Sequence, residues 1–245
     1  ASPIQLRVKL KKTALEILPE VTRVTEYATS RGLRVGFSTE DSTRADLMDL
    51  IRIYRAAIDA GAERVGITDT VGCTTPNGLA QLVQKVRRSL NDFPLSVHLH
   101  NDFGLATANA LAGVLAGARF VTTTVNGIGE RAGNVPLQPF VMSCELLYGI
   151  PTGIDLESLK ALSELVADRS GVAVHPNAPV VGSNVFSHES GIHTHGILKH
   201  TLTYEPIHPE MIGRTREFVF GKHTGTTSVE EKLKDHAVEF KPEQV

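Results

Sequence analysis

Four times within the first 150 residues a short β-branched run gives way to an amphipathic helical stretch, an alternation that restricts the chain to an α/β architecture. "LRVGFSTED" precedes 46–60, "RVGITDT" precedes 76–90, "LSVHLHND" precedes 105–117 and "FVTTTVNG" precedes 134–148, with one more helix ahead of them at about 10–31. At helical spacing Leu47, Leu50, Ile51, Tyr54 and Ile58 share one face of the second helix. Leu79, Leu82, Val83, Val86 and Leu90 share one face of the third. Thr75-Pro76 reads as an N-cap followed by proline in the first turn, and Gly61, Gly104 and Gly117 punctuate the joins. A helix between two strands returns the chain to the same end of the sheet, so the strands pair in parallel.

Such units build either an open doubly wound sheet or a closed barrel. Polar residues end each strand: Glu40-Asp41, Asp69-Thr70, His98 and His100, and Asn126. Reactive side chains at the C-terminal ends of successive strands mark the mouth of a TIM (β/α)8 barrel. About four β/α units are visible, so residues 1–150 are expected to be the C-terminal half of such a barrel, its N-terminal half absent. Beyond 150 the pattern changes to a helix at about 156–169, a proline-broken "VHPNAPVVGSN", and then "FSHESGIHTHGILKH", "TYEPIHPEMIG" and "FGKHTGTTSVEEKLKDH". Residues 151–245 hold eight of the ten histidines and are expected to form a linker and a small, mostly helical subdomain, truncated at its C-terminus.

Residues two apart in a strand point to one side, so His98 and His100 present both imidazoles to the same face. Neutral imidazole is the commonest metal ligand, and a buried imidazole without a partner is costly, so the pair points to a divalent metal. Two nitrogens do not complete a site; mixed N/O coordination suits Zn, Mn, Mg or Co. In "NGIGERAGN", residues 126–134, three glycines permit tight turns, and Asn134 is placed to cap the next helix and to turn its amide oxygen to a metal. Glu40 reads equally as a base or relay beside that metal and as a salt-bridged rim residue, and Thr70 equally as a carboxylate-binding hydroxyl and as a turn cap. His188, His193 and His195 suit catalysis or an exposed polar turn, and "GKHTG" suits an anion-binding loop.

The formal charge of −2, with Lys and Arg scattered, provides no patch for nucleic acid or an anionic membrane. No apolar run approaches the roughly 20 residues that span a bilayer. Two distant cysteines, Cys73 and Cys144, read as reduced thiols. Together these point to a cytoplasmic protein with no nucleic-acid or membrane partner.

Taken in order, "FSTEDSTR", "TDTVGCTTP", "VHLHNDFGLATANALAGVLAGA", "VNGIGERAGN", "HESGIHTHG" and "FGKHTG" resemble the metal-dependent Claisen-condensing acyltransferases built on a TIM barrel, the family of homocitrate, 2-isopropylmalate and citramalate synthases. The resemblance implies that His98 and His100 are metal ligands, with Asn134 in or next to the shell. It implies that Glu40 is a catalytic carboxylate near the acetyl group, that Thr70 holds the carboxylate of a 2-oxo acid, and that Glu130 also contacts substrate. His193 would be the general base or relay, with Tyr204 beside it, in a lid subdomain that covers the barrel of a partner subunit in a homodimer. The implied reaction condenses acetyl-CoA with a 2-oxo acid and then hydrolyses the thioester.

The chain departs from the related 3-hydroxy-3-methylglutaryl-CoA lyases, because "NGIGERAGN" lacks their loop cysteine; this argues against a lyase or aldolase running in the retro direction. It also lacks the family's Asp-x-Thr-x-Arg-Asp-Gly-type motif, so one metal ligand is missing and 1–245 alone is expected to be inactive and poorly soluble. A non-catalytic remnant is the alternative from another class. Gln5 stands where many isopropylmalate synthases place a histidine, which favours homocitrate synthase acting on 2-oxoglutarate; 2-isopropylmalate synthase and citramalate synthase are the alternatives.

Overall fold

The computed structural model describes residues 1–219 together with 225, 229 and 233, and the chain divides into two compact units, Ala1–Pro151 and Thr152–Val245. The first unit holds five parallel strands in sequence order: β1 (Gly36–Ser38), β2 (Arg64–Asp69), β3 (Leu95–Leu99), β4 (Phe120–Thr124) and β5 (Val135–Pro136). Helices α1 (Leu18–Ser30), α2 (Leu47–Asp59), α3 (Pro76–Ser89), α4 (Ala106–Leu115) and α5 (Leu137–Tyr148) accompany them. The side chain of Asp46 accepts from the Met48 and Asp49 amides at the start of α2, and Thr75 accepts from Gly78 N at the start of α3, where Pro76 needs no donor.

The pleat sorts β3 into two faces. Leu95, Val97 and Leu99 are fully buried against the helices, whereas Ser96 and His98 between them are half-buried on the opposite face. Gly113 of α4 permits the close approach: a β-carbon there would lie 3.4 Å from Val97 and 3.5 Å from Leu79. Burial of each such aliphatic side chain is worth about 1.5–3 kcal/mol. On the polar face the register sets Thr68 opposite His98 and His98 opposite Thr122.

Two boundaries differ from the sequence expectation. The helix expected at 10–31 begins only at Leu18, because Pro19 suits a first turn, and it is preceded by a π-helical turn over Gln5–Leu10 that ends on left-handed Lys11. The helix expected at 134–148 begins at Leu137, and Val135–Pro136 form the fifth strand instead. Asn134 therefore does not cap that helix; Pro136 occupies the cap position.

A buried hydroxyl cluster reinforces the short β1–β2 ladder. The Tyr54 phenol, fully buried and pushed up to about 12 by that burial, donates to the Gly66 carbonyl at 2.6 Å and lies 3.1 Å from Thr39 Oγ1. Ser42 Oγ accepts from Thr68 N at 2.9 Å, and the Thr68 hydroxyl donates to the Thr39 carbonyl.

In the second unit, α6 (Leu159–Ser170) ends on left-handed Gly171, and α7 (Gly191–Lys199) lies in the chain between two two-residue strands that pair in parallel, β6 (Ser187–His188) and β7 (Glu217–Phe218). Apart from Gly225, "GKHTG" lies outside the described residues. Among the described residues no helix is long and apolar enough to cross a membrane. Replacing Tyr54 by Phe, which strips a buried donor from Gly66, is expected to cost about 1–3 kcal/mol in urea unfolding; an unchanged midpoint would show the cluster to be neutral.

Candidate functional site

Residue parity on β3 and one residue beyond it places the two histidines together. The His98 and His100 rings are edge-on, with centroids 5.3 Å apart. Burial, and then the neighbouring His100, hold the His98 pKa below its ordinary value, which keeps the imidazole neutral and able to donate a lone pair. His100 Nδ1 is buried without a hydrogen-bond partner.

The loop from Asn126 to Asn134 brings a third polar group to the pair. His100 and Asn134 form an isolated antiparallel bridge, Asn101 N donates to the Gly133 carbonyl at 3.0 Å, and Asn134 N donates to the Gly127 carbonyl at 3.2 Å. The Asn134 amide group stands 3.4 Å from both His98 Nε2 and the Leu99 carbonyl. A half-turn of that amide would present its oxygen at the same place. Gly129 is required beside it, since a β-carbon there would strike Asn134 Oδ1. Two imidazoles and an amide oxygen are a borderline donor set for a divalent cation, and the unsatisfied His100 nitrogen is what such a set would leave. Among the described residues no cluster of three or more His, Cys, Asp or Glu side chains that could hold a metal is present, so these donors alone would make only part of a shell.

The remaining mouth residues are engaged in different ways. Glu40 is exposed, and both its oxygens accept from Lys9 Nζ, at 2.9 and 2.8 Å. Thr70 Oγ1 accepts from Asp41 N at 2.8 Å, joining the loop after β2 to the loop after β1. Glu130 is exposed. Asp69 has the parity of Val65 and Ile67 and points away from His98. Its carboxylate accepts from Thr43 Oγ1 and from the Cys73 and Thr74 amides, bracing the entry to α3. Asn126 exchanges two hydrogen bonds with Gln138, at 2.8 and 3.0 Å. Asp41, read from the sequence only as a polar strand-end residue beside Glu40, is set apart by its burial. It is fully buried in a left-handed backbone, and although burial opposes its charge, bonds from Arg44 and Ser2 hold its pKa below the usual carboxylate range.

In the second unit the structure brings His193 and Tyr204 together, their ring centroids 4.1 Å apart and tilted by 31°. Gly196 makes room, because a β-carbon there would lie 2.8 Å from Tyr204 Cε2. The clustered histidines separate in function: His193 and His195 are exposed, while His188 Nε2 lies 2.9 Å from Glu205, a buried carboxylate that Arg216 also grips at 2.8 and 2.5 Å. Burial pushes the Glu205 pKa up, but the Arg216 and His188 bonds outweigh it and leave it lowered. A lowered carboxylate pKa contributes stability that is present above the ordinary glutamate range and lost as pH falls through the folded value. Glu205→Gln is therefore expected to lower the melting temperature by roughly 5 °C at neutral pH. The difference from the parent should close below about pH 4, and a constant gap in thermal scans would contradict the assignment.

Comparison with known proteins fits this geometry. Residues 1–166 match the HMGL-like family, and residues 180–245 match the homocitrate synthase post-HMGL domain-like family. The chain belongs to the HMGL-like family. Proteins similar to this chain include synthases of three kinds. The 2-isopropylmalate synthase of Methanocaldococcus jannaschii is 47% identical over 97% of this chain and 46% of its own length. A homocitrate synthase of Methanopyrus kandleri is 47% identical over 100% of this chain and 61% of its own. A Methanopyrus kandleri protein whose name assigns it to the (R)-citramalate synthases is 51% identical over 100% of this chain and 48% of its own. The chain thus spans about half to three-fifths of the length of these relatives. Hydroxymethylglutaryl-CoA lyase from Pseudomonas aeruginosa superposes with a TM-score of 0.63 at 22% identity, over 73% of this chain and 63% of its own. The Bacillus subtilis lyase gives 0.59 at 20% identity, over 69% and 60%. At such identities the likeness establishes the fold, and the first unit is a partial TIM-type (β/α) barrel accompanied by a mostly helical region.

Proposed function

We propose that this chain carries the metal-binding strands and lid of an enzyme that condenses acetyl-CoA with a 2-oxo acid and hydrolyses the resulting thioester. The convergence of His98, His100 and Asn134 on the polar face of the sheet, with a buried His100 nitrogen left unpartnered, supports this most directly. These three residues would hold a divalent cation (Zn, Mn, Mg or Co), which when bound polarises the keto group of the 2-oxo acid. Thr70 binds the substrate carboxylate and Glu130 contacts the substrate, while Glu40, once released by Lys9, acts as a carboxylate near the acetyl group. His193, oriented by its stack with Tyr204, moves the proton removed from the acetyl methyl group. Residues 1–150 serve as barrel and 151–245 as linker and lid, and in a homodimer the lid covers the partner's site and excludes water from the reacting carbon.

Among substrates, 2-oxoglutarate is favoured, on Gln5 alone, which makes the activity that of a homocitrate synthase. Relatives named for 2-isopropylmalate and citramalate synthesis support 2-oxoisovalerate and pyruvate equally. Thiol release from acetyl-CoA by the full-length protein, screened with these three acids, is expected to pick out one; no turnover with any would sink the proposal. His98→Ala and His100→Ala are each expected to weaken divalent-cation affinity at least roughly 10-fold, read by calorimetric titration.

A further inference from the structure

The loop that carries Asn134 has almost nothing apolar to bury; Ile128 is its one large aliphatic residue. Its backbone is unfavourable, with left-handed angles at Asn126, Gly127, Arg131 and Gly133, two of them outside glycine. Such conformations persist only where the surroundings over-determine them. At the root of the loop the Gln138 bonds to Asn126 do this, and at its tip the work falls to Arg131. The Arg131 guanidinium meets Asp102 twice, Nε to Oδ1 at 2.9 Å and Nη2 to Oδ2 at 3.1 Å, and Nη2 also donates to the Thr70 carbonyl at 2.6 Å. Asp102 lies two residues beyond His100 in the loop after β3, and Thr70 lies in the loop after β2. Gly72, left-handed, keeps that neighbouring loop out of the way, because a β-carbon there would strike the Asp102 carboxylate.

We infer that Arg131 is a positioning residue, a single side chain that laces the Asn134 loop to the loops after β2 and β3 and so sets the Asn134 amide beside His98 and His100 before any ion binds. The inference rests on the metal-binding role proposed above. The planar fork is needed: a lysine point charge cannot pair both oxygens of Asp102 and the Thr70 carbonyl at once. Because the pair is partly open to solvent, its side chains 39% and 23% exposed, its loss should loosen the loop and leave the strands folded.

The test compares full-length Arg131→Met, Arg131→Lys and Asp102→Asn with the parent, using Co2+ alone as the probe. Co2+ affinity, titrated through its visible absorption, is expected to fall by about 10–100-fold in all three variants, the usual effect of removing a group that orients a ligand. In the ion-free protein, amide exchange over 127–134 should accelerate while that of β2 and β3 does not change. The Arg131→Met/Asp102→Asn double variant should bind no more weakly than either single one, because both remove one clamp. Asp102→Asn, nearly isosteric, guards against misfolding of the arginine variants. Parental affinity and unchanged loop exchange in all three variants, with His98→Ala weakening Co2+ binding as expected, would overturn the clamp while leaving the metal site standing. Failure of the parent itself to bind Co2+ would overturn both.

Discussion

Everything at the candidate site depends on one property of extended backbone, that successive side chains leave opposite faces of the sheet. On β3 the demand of the helix layer for Leu95, Val97 and Leu99 consigns Ser96 and His98 to the other face, and His100 follows by the same parity. A slip of one residue would bury both imidazoles under α3 and α4 and expose three aliphatic side chains, so the packing that stabilises the sheet also enforces the geometry of the pair. The same parity explains why Asp69 braces α3 while Thr70 faces the mouth.

Beyond the strands, the mouth is held by polar contacts rather than apolar ones. Asp69 with the start of α3, and Arg131 with Asp102 and Thr70, join one βα loop to its own helix or to other loops, while Asp41 grips Arg44 of its own loop and Ser2 near the start of the chain. Such contacts fix direction more than they add stability. Loops built this way depend on left-handed residues, and here these include Asp41, Asn126 and Arg131 besides the glycines.

The second unit separates two kinds of histidine. His188 is spent on structure, sharing the buried Glu205 with Arg216, whereas His193 lies exposed on α7 against Tyr204. Glycine at 196 makes that stack possible, so the "GIHTHG" run has a packing reason for its last residue.

By itself, the sequence determined the order of strands and helices, the parallel pairing and the shared face of His98 and His100. All of these follow from short-range periodicity and from the handful of ways in which β/α units connect. Helix starts at Leu18 and Leu137, and the extra strand at Val135–Pro136, escaped it because proline and a two-residue ladder carry too little periodic signal. Only the tertiary structure decided that Glu40 lies against Lys9, that Asn134 bridges to His100 instead of capping α5, that Asp41 is buried and charged, and that Arg131 reaches two neighbouring loops. Those contacts join residues about 30 to 60 positions apart through side chains leaving irregular backbone, where no periodicity links one position to the next and only the packed strands bring the partners within reach.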